Sequence, residues 1–126
     1  MTNYAEQNTP EYLWTAPTVY RDDLFEGRTV LVSGGGSGIG RCTAHELASL
    51  GATVAIVGRK IEKLESVRSE IEANGGKVSC HVCDIREEVM VKQTVAGILA
   101  QHGAIHALVN NAGGQYPSAI KDLSVK

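Results

Sequence analysis

Residues 28–40, Arg28-Thr29-Val30-Leu31-Val32-Ser33-Gly34-Gly35-Gly36-Ser37-Gly38-Ile39-Gly40, decide the fold. Thr29-Val30-Leu31-Val32 is a short β-branched apolar run of the kind buried on both faces of a sheet, and it stops at Ser33 in a glycine loop. Downstream, Ala44, Leu47 and Ala48 recur at spacings of three and four with Ile39 leading, so one stripe of a helix is apolar, and Gly51 is its stop. Strand, glycine loop and helix make one unit.

Outward from that unit the cycle repeats. Thr53-Val54-Ala55-Ile56-Val57 reads as a second buried strand, and Ile61, Leu64, Val67 and Ile71 mark a helix that ends at Asn74-Gly75-Gly76. A third strand runs from Lys77 to Cys83. Arg86-Glu87-Glu88 then supplies the acidic start that a helix prefers, followed by the stripe Val91, Val95, Ile98 and Leu99, which ends near Gly103. Ala107-Leu108-Val109-Asn110 is the fourth strand. Units of about 30 residues imply parallel strands joined by right-handed helical crossovers. The expectation is an α/β fold, a three-layer doubly wound parallel sheet (Rossmann fold) over residues 28–126. Residues 1–27, with Tyr4, Tyr12, Trp14, Pro17 and Tyr20 scattered without period, read as an irregular extension that packs locally or frays.

The whole chain has 126 residues, 12 basic and 14 acidic, for a net charge of −2. This is one domain or part of one. Its lysines and arginines are spread from Arg21 to Lys126, giving no basic field to hold a polyanion, so nucleic acid is not an expected partner. No apolar run approaches the ~20 residues of a membrane helix, and Met1 to Pro10 are polar where a signal peptide would be apolar. A cytoplasmic protein with reduced thiols is expected from that and from the 3 cysteines.

Ligands of doubly wound sheets bind beyond the carboxyl ends of the strands, where the first helix offers unpaired N–H groups and a partial positive charge to a phosphate. Spacing decides among three phosphate loops. The pattern G-x-G-x-x-G fails, because the third glycine after Gly36 and Gly38 would fall on Arg41. A P-loop nearly fits from Gly35 to Gly40, but Arg41 and Cys42 replace its lysine and hydroxyl, removing most of the chemistry of nucleotide hydrolysis.

What fits is Ser33-Gly34-x-x-x-Gly38-Ile39-Gly40, which resembles the loop [Thr/Ser]-G-x-x-x-G-x-G of the short-chain dehydrogenase/reductase family. Asp84-Ile85 after the third strand resembles the family's adenine-binding acidic dipeptide, and Asn110-Asn111-Ala112-Gly113 its N-N-A-G. Within the family, Gly58-Arg59-Lys60 and Asn110 to Tyr116 resemble the group of peroxisomal trans-2-enoyl-CoA reductases and bacterial citronellol/citronellal dehydrogenases. The resemblance implies a nicotinamide cofactor held by Ser33, Gly34, Gly36, Ser37, Gly38, Ile39 and Gly40, by Asp84 and Ile85, and by Asn111, Ala112 and Gly113. It also implies that the N-N-A-G segment braces the sheet, that the substrate is a small molecule, and that the complete protein is a homo-oligomer.

The end of the second strand discriminates between cofactors. A carboxylate there would accept from the ribose hydroxyls of NAD and repel the 2′-phosphate of NADP, but Gly58 stands there, followed by Arg59 and Lys60. A guanidinium holds a phosphate bidentately, so NADP is expected, with NAD the alternative if Arg59 and Lys60 only begin a solvated helix face.

Other features invite chemistry that the spacing does not support. Cys80-His81-Val82-Cys83 and His102-x-x-x-His106 suggest a zinc site, yet cysteines three apart on a strand face opposite ways, and the intervening residues 84–101 exceed the ~12–15 of a finger. No metal is expected, nor a thioredoxin-type site, which opens a helix. His45, off the apolar stripe, reads as a solvated surface residue. The family's catalytic pair is Y-x-x-x-K, and Tyr116 and Lys121 are one residue too far apart, with Pro117 between them. No catalytic residue is therefore expected in this chain, which reads as the amino-terminal half of a reductase or dehydrogenase, with the hydride-transfer residues beyond Lys126. A non-catalytic NADP-binding regulatory module, or an inactive fragment, is the alternative. Alone, the chain is expected to fold poorly, because its fourth strand would end the sheet with an open edge.

Overall fold

From residue 28 onward, the β-branched runs and glycine stops place the elements close to where the sequence puts them. The computed structural model describes residues 5–114. A six-residue helix, α1 (Pro10–Thr15), is followed by β1 (Thr29–Ser33), α2 (Gly38–Ser49), β2 (Thr53–Gly58), α3 (Ile61–Ala73), β3 (Lys77–Val82), α4 (Glu88–His102) and β4 (Ala107–Val109). The strands form one parallel sheet in the order β3-β2-β1-β4. From β1 the chain first moves to β2 and β3, then crosses back to β4 on the other side. That reversal is the topological switch of a doubly wound sheet, and it opens a crevice between the ends of β1 and β4.

Alternation along the strands separates two apolar layers. Val30, Val32, Val54 and Ile56 pack beneath α2 and α3 with Ala44, Ala48, Leu64, Val67 and Ile71. Leu31, Ala55, Val57 and Cys83 face the other way, beneath Ile98 of α4. All five residues of β1 are buried, as a central strand covered on both faces requires. At one edge of the described sheet Leu108 of β4 is 56% exposed. Ile61 and Leu99, which the helical stripes include, are also exposed.

Three sequence expectations change. Residues 5–27 are not wholly irregular: a 3-10 turn at Glu6–Asn8 leads into α1, whose Thr9 caps the helix by accepting from the Tyr12 N–H at 3.2 Å. Trp14 of α1 packs against the α2/α3 core layer. Ile39 does not lead the buried stripe of α2; it is 78% exposed, because the first turn of α2 projects past the sheet end instead of lying over it.

His45 is the third correction, since it is fully buried rather than solvated. It lies on the side of α2 that meets α3, and its Nε2 sits 2.8 Å from Glu70 Oε2. Arg41 Nε donates to the same oxygen at 2.8 Å, and its Nη1 donates to Asn8 Oδ1 at 2.9 Å, so α2, α3 and the segment before α1 meet at one carboxylate. Burial pushes the Glu70 carboxyl up, but the hydrogen bonds from Arg41 and His45 outweigh that, and its pKa lies below the ordinary carboxylate value of 4.5. A lowered folded pKa adds stability above the unfolded pKa, and that stability is lost as pH falls through the folded one. Glu70→Gln should therefore lower Tm at pH 7, with the gap from the wild type closing below about pH 4.5. Thermal unfolding recorded from pH 7 down to pH 3 checks this.

Candidate cofactor-binding site

At the switch point lies an open cleft of about 890 Å³. Its glycine-loop wall comes from Gly34, Gly36, Ser37 and Ile39, the β2 end gives Gly58, Arg59 and Lys60, the β3 end gives Asp84, Ile85 and Arg86, and Asn111, Ala112 and Gly113 come from the segment after β4. Most of the residues singled out in the sequence thus meet around one space. Ser33, Gly38 and Gly40 do not line it.

Ser33 and Gly40 act beneath the cleft instead. The Ser33 hydroxyl accepts from the N–H groups of Asn111 and Ala112, both at 3.0 Å, and donates to the Val109 carbonyl at 3.2 Å. Asn111 Nδ2 donates to the carbonyl of Ser33 at 3.1 Å and to that of Gly34 at 3.4 Å. This stitches the glycine loop to the chain leaving β4. Gly34 has φ of 69°, and a Cβ there would lie 2.8 Å from Asn111 Nδ2. A Cβ on Gly40 would strike the Gly34 carbonyl, and it would stand 2.6 Å from Asn111 Nδ2. The small residues are required by close backbone approach as much as by a ligand.

The loop then opens α2 with Ser37 as N-cap, and Ser37 makes no side-chain capping bond. No acidic residue lies in the first turn of α2, whereas Glu62 does in α3 and Glu88 in α4. First-turn N–H groups without a capping side chain, next to a positive dipole end, suit an anion. Ile39 and Ile85, both exposed, give the walls apolar patches, and Arg59, Lys60 and Lys63 give the β2 side positive charge. Phosphate donors, apolar ring surfaces and a cationic corner in one cleft fit a dinucleotide.

Asp84 is already engaged. Its carboxylate accepts from the Arg86 backbone N–H at 3.0 Å and from Arg86 Nε at 2.9 Å, and Nη2 pairs with the second oxygen. The Arg86 hydrogen bonds hold the Asp84 carboxyl well below the usual carboxylate range. Arg86 and Lys63 are cleft residues that the motif reading did not name. The signal for Arg86 was an Asp and an Arg two apart at a strand end, a spacing that closes a turn through the side chains.

The residues of the imagined zinc site are dispersed. Cys80 packs with the α2/α3 layer and Cys83 with the α4 layer, on opposite faces of the sheet. Burial, with Glu65 nearby, pushes the Cys80 thiol up to about 11, so it is not a thiolate near neutral pH. His102 and His81 each place Nε2 2.9 Å from the Ser79 hydroxyl, and His106 Nδ1 accepts from the Thr29 N–H at 2.9 Å. Burial, then the proximity of His102, lowers the His81 pKa. Tyr116 and Lys121 lie outside the described residues.

Sheet order and the position of the cleft together define an α/β domain of the doubly wound class. The short chain dehydrogenase family profile matches residues 28–126, and the chain belongs to that family. A citronellol catabolism dehydrogenase (AtuB) of Pseudomonas aeruginosa PAO1 is 61% identical, superposes with a TM-score of 0.77, and is matched over 85% of this chain and 44% of that one. A metagenomic short-chain oxidoreductase in complex with NADP is 38% identical, with a TM-score of 0.72 over 79% and 46% of the two chains. An NAD+-bound xylitol dehydrogenase is 36% identical, with a TM-score of 0.71 over 73% and 35%. Among curated relatives, a probable 2,4-dienoyl-CoA reductase 3 of Caenorhabditis elegans is 41% identical over 108 residues, 84% of this chain and 35% of the relative. The chain spans less than half the length of these relatives.

Removing the Ser33 hydroxyl leaves two N–H groups of the stitch without their acceptor, at a cost of about 1–3 kcal/mol. Ser33→Ala in the complete protein should lower its stability by that amount and weaken cofactor binding although Ser33 does not line the cleft. Denaturant unfolding and cofactor titration of the variant check both effects.

Proposed function

We propose that the complete protein is an NADP(H)-preferring oxidoreductase that moves a hydride between the nicotinamide and an alcohol or aldehyde, with an enoyl-CoA-type substrate as the second class. The observation that carries the cofactor choice is the corner at the end of β2. Gly58 stands there in place of a carboxylate, and Arg59, Lys60 and Lys63 line the cleft beside it. A 2′-phosphate at that corner would meet cations and no acid from β2. The bound cofactor would give or take the hydride.

This chain's residues bind and orient it. Arg59 and Lys60 hold the 2′-phosphate, Asp84 accepts from the adenine amino group, and the first turn of α2 takes the pyrophosphate. Ile39 and Ile85 exclude water along the cofactor, while Ser33 and Asn111 hold the loop in place. Gly34, Gly36, Ser37, Gly38 and Gly40 let the backbone come close, and Ala112 and Gly113 shape the opposite wall. The proton that accompanies hydride transfer belongs to groups that the family resemblance places after β4.

The citronellol relative at 61% identity favours the alcohol or aldehyde class, and the dienoyl-CoA reductase supports the second. The regulatory-module alternative gains nothing from relatives that are named as dehydrogenases and reductases. No helix among the described residues is long and apolar enough to cross a membrane. A cytoplasmic location and self-association of the complete protein are parts of the same proposal.

One charge-assisted contact is worth about 1.5–3 kcal/mol, or roughly ten- to hundredfold in affinity. Arg59→Ala should reduce the preference for NADP over NAD by that factor in paired binding titrations. An unchanged ratio would overturn the assignment.

A further inference from the structure

Asp84 is the one carboxylate among the residues lining the cleft that Arg59 also lines. Its charge acts on two guanidiniums. Arg86 binds both carboxylate oxygens, through Nε at 2.9 Å and 3.2 Å and through Nη2. Arg59 feels Asp84 only at longer range, through the coulombic attraction between them, and makes no ion pair or hydrogen bond among the described residues. Asp84 is thus held by Arg86 and not by Arg59, and the backbone favours that pairing. Arg86 follows Asp84 by two residues and its own N–H already bonds Asp84 Oδ1 at 3.0 Å, so the pair closes within a single turn. A carboxylate without Arg86 would offer Arg59 a partner other than a phosphate.

We propose that Arg86 is a positioning residue for cofactor choice: by occupying Asp84 it leaves Arg59 free to clamp a ribose 2′-phosphate. The inference rests on the NADP reading above and adds a residue that acts through Arg59. Paired to Arg86, Asp84 keeps lone pairs to accept from an adenine amino group. The Arg86 side chain is 73% exposed, so its removal does not threaten the core.

The test is calorimetric titration of NADP+ and NAD+ into the complete protein and its Arg86→Gln, Arg86→Lys, Arg59→Ala and double Arg59→Ala/Arg86→Gln variants. Exposed ion pairs are weak, so the expected change is roughly three- to fivefold. R86Q should weaken NADP+ binding by that factor and leave NAD+ binding within twofold. R86K, which keeps the charge without the two-pronged grip, should fall between R86Q and the wild type. In the double variant the loss of NADP+ affinity should equal that of R59A alone, because Arg86 then has no clamp to protect. An R86Q protein with unchanged NADP+ affinity, while R59A loses its preference, overturns this inference and spares the NADP reading. Losses that multiply in the double variant also overturn it, since they would make Arg86 a direct phosphate ligand. A ratio unmoved by R59A would remove the NADP reading and this inference together.

Discussion

The rest of the site depends on a single hydroxyl. β1 and β4 pair over only three residues, Val30 to Val32 against Ala107 to Val109, and a parallel ladder that short does not fix where the chain goes next. Ser33 extends the connection past the last ladder pair by joining the β4 carbonyl at Val109 to two N–H groups beyond it. Once Asn111 is held, its amide can reach back to the carbonyls of Ser33 and Gly34, and the loop that opens α2 is fixed from the far side of the crevice. The cleft is thus a seam whose two lips are sewn together at its base. Gly34 and Gly40 carry no side chain because the seam leaves no room for one.

Arg41 shows how one contact redirects a loop's chemistry. It directly follows Gly40, where a phosphate-cleaving loop would place a lysine toward its ligand. Here Arg41 points the other way, into Glu70, and is held by Asn8 from the segment before α1. The residue type alone would have left a basic group at the phosphate site. Its partner on α3 removes that group from the cleft, and the amino-terminal segment closes over the pair.

The elements were legible because they obey short-range rules. β-branched runs, a helical period and glycine stops fix strands and helices to within a residue or two. What the sequence concealed lies between elements. The periodicity of α2 reports which side faces the sheet, so His45 reads as outward; its burial comes from α3, whose position no local pattern encodes. Ile39 shares the helical period yet lies beyond the sheet end, where the period has nothing to pack on. Ser33 is visible as a motif residue, but whether its hydroxyl turns to the ligand or to β4 depends on a strand more than seventy residues away. The grouping of loop, Asp84-Ile85 and Asn111 to Gly113 was legible because each follows a strand, and parallel strands bring their carboxyl ends to one edge.

A chain with net charge −2 can still present a positive corner, because several of its acids are paired with cations outside that corner. Glu70 is bound by Arg41, Glu65 and Glu72 by Arg68, Glu88 by Lys92, and Asp84 by Arg86. Arg59, Lys60 and Lys63 have no ion pair among the described residues, and all three line the cleft. Screening at physiological salt acts over about 8 Å, so distant carboxylates weigh little on a phosphate at that corner. The local pairing pattern, and not the formal charge of the chain, sets the field that a ligand meets. A chain that is acidic as a whole thus has cations without an ion-pair partner at the end of β2.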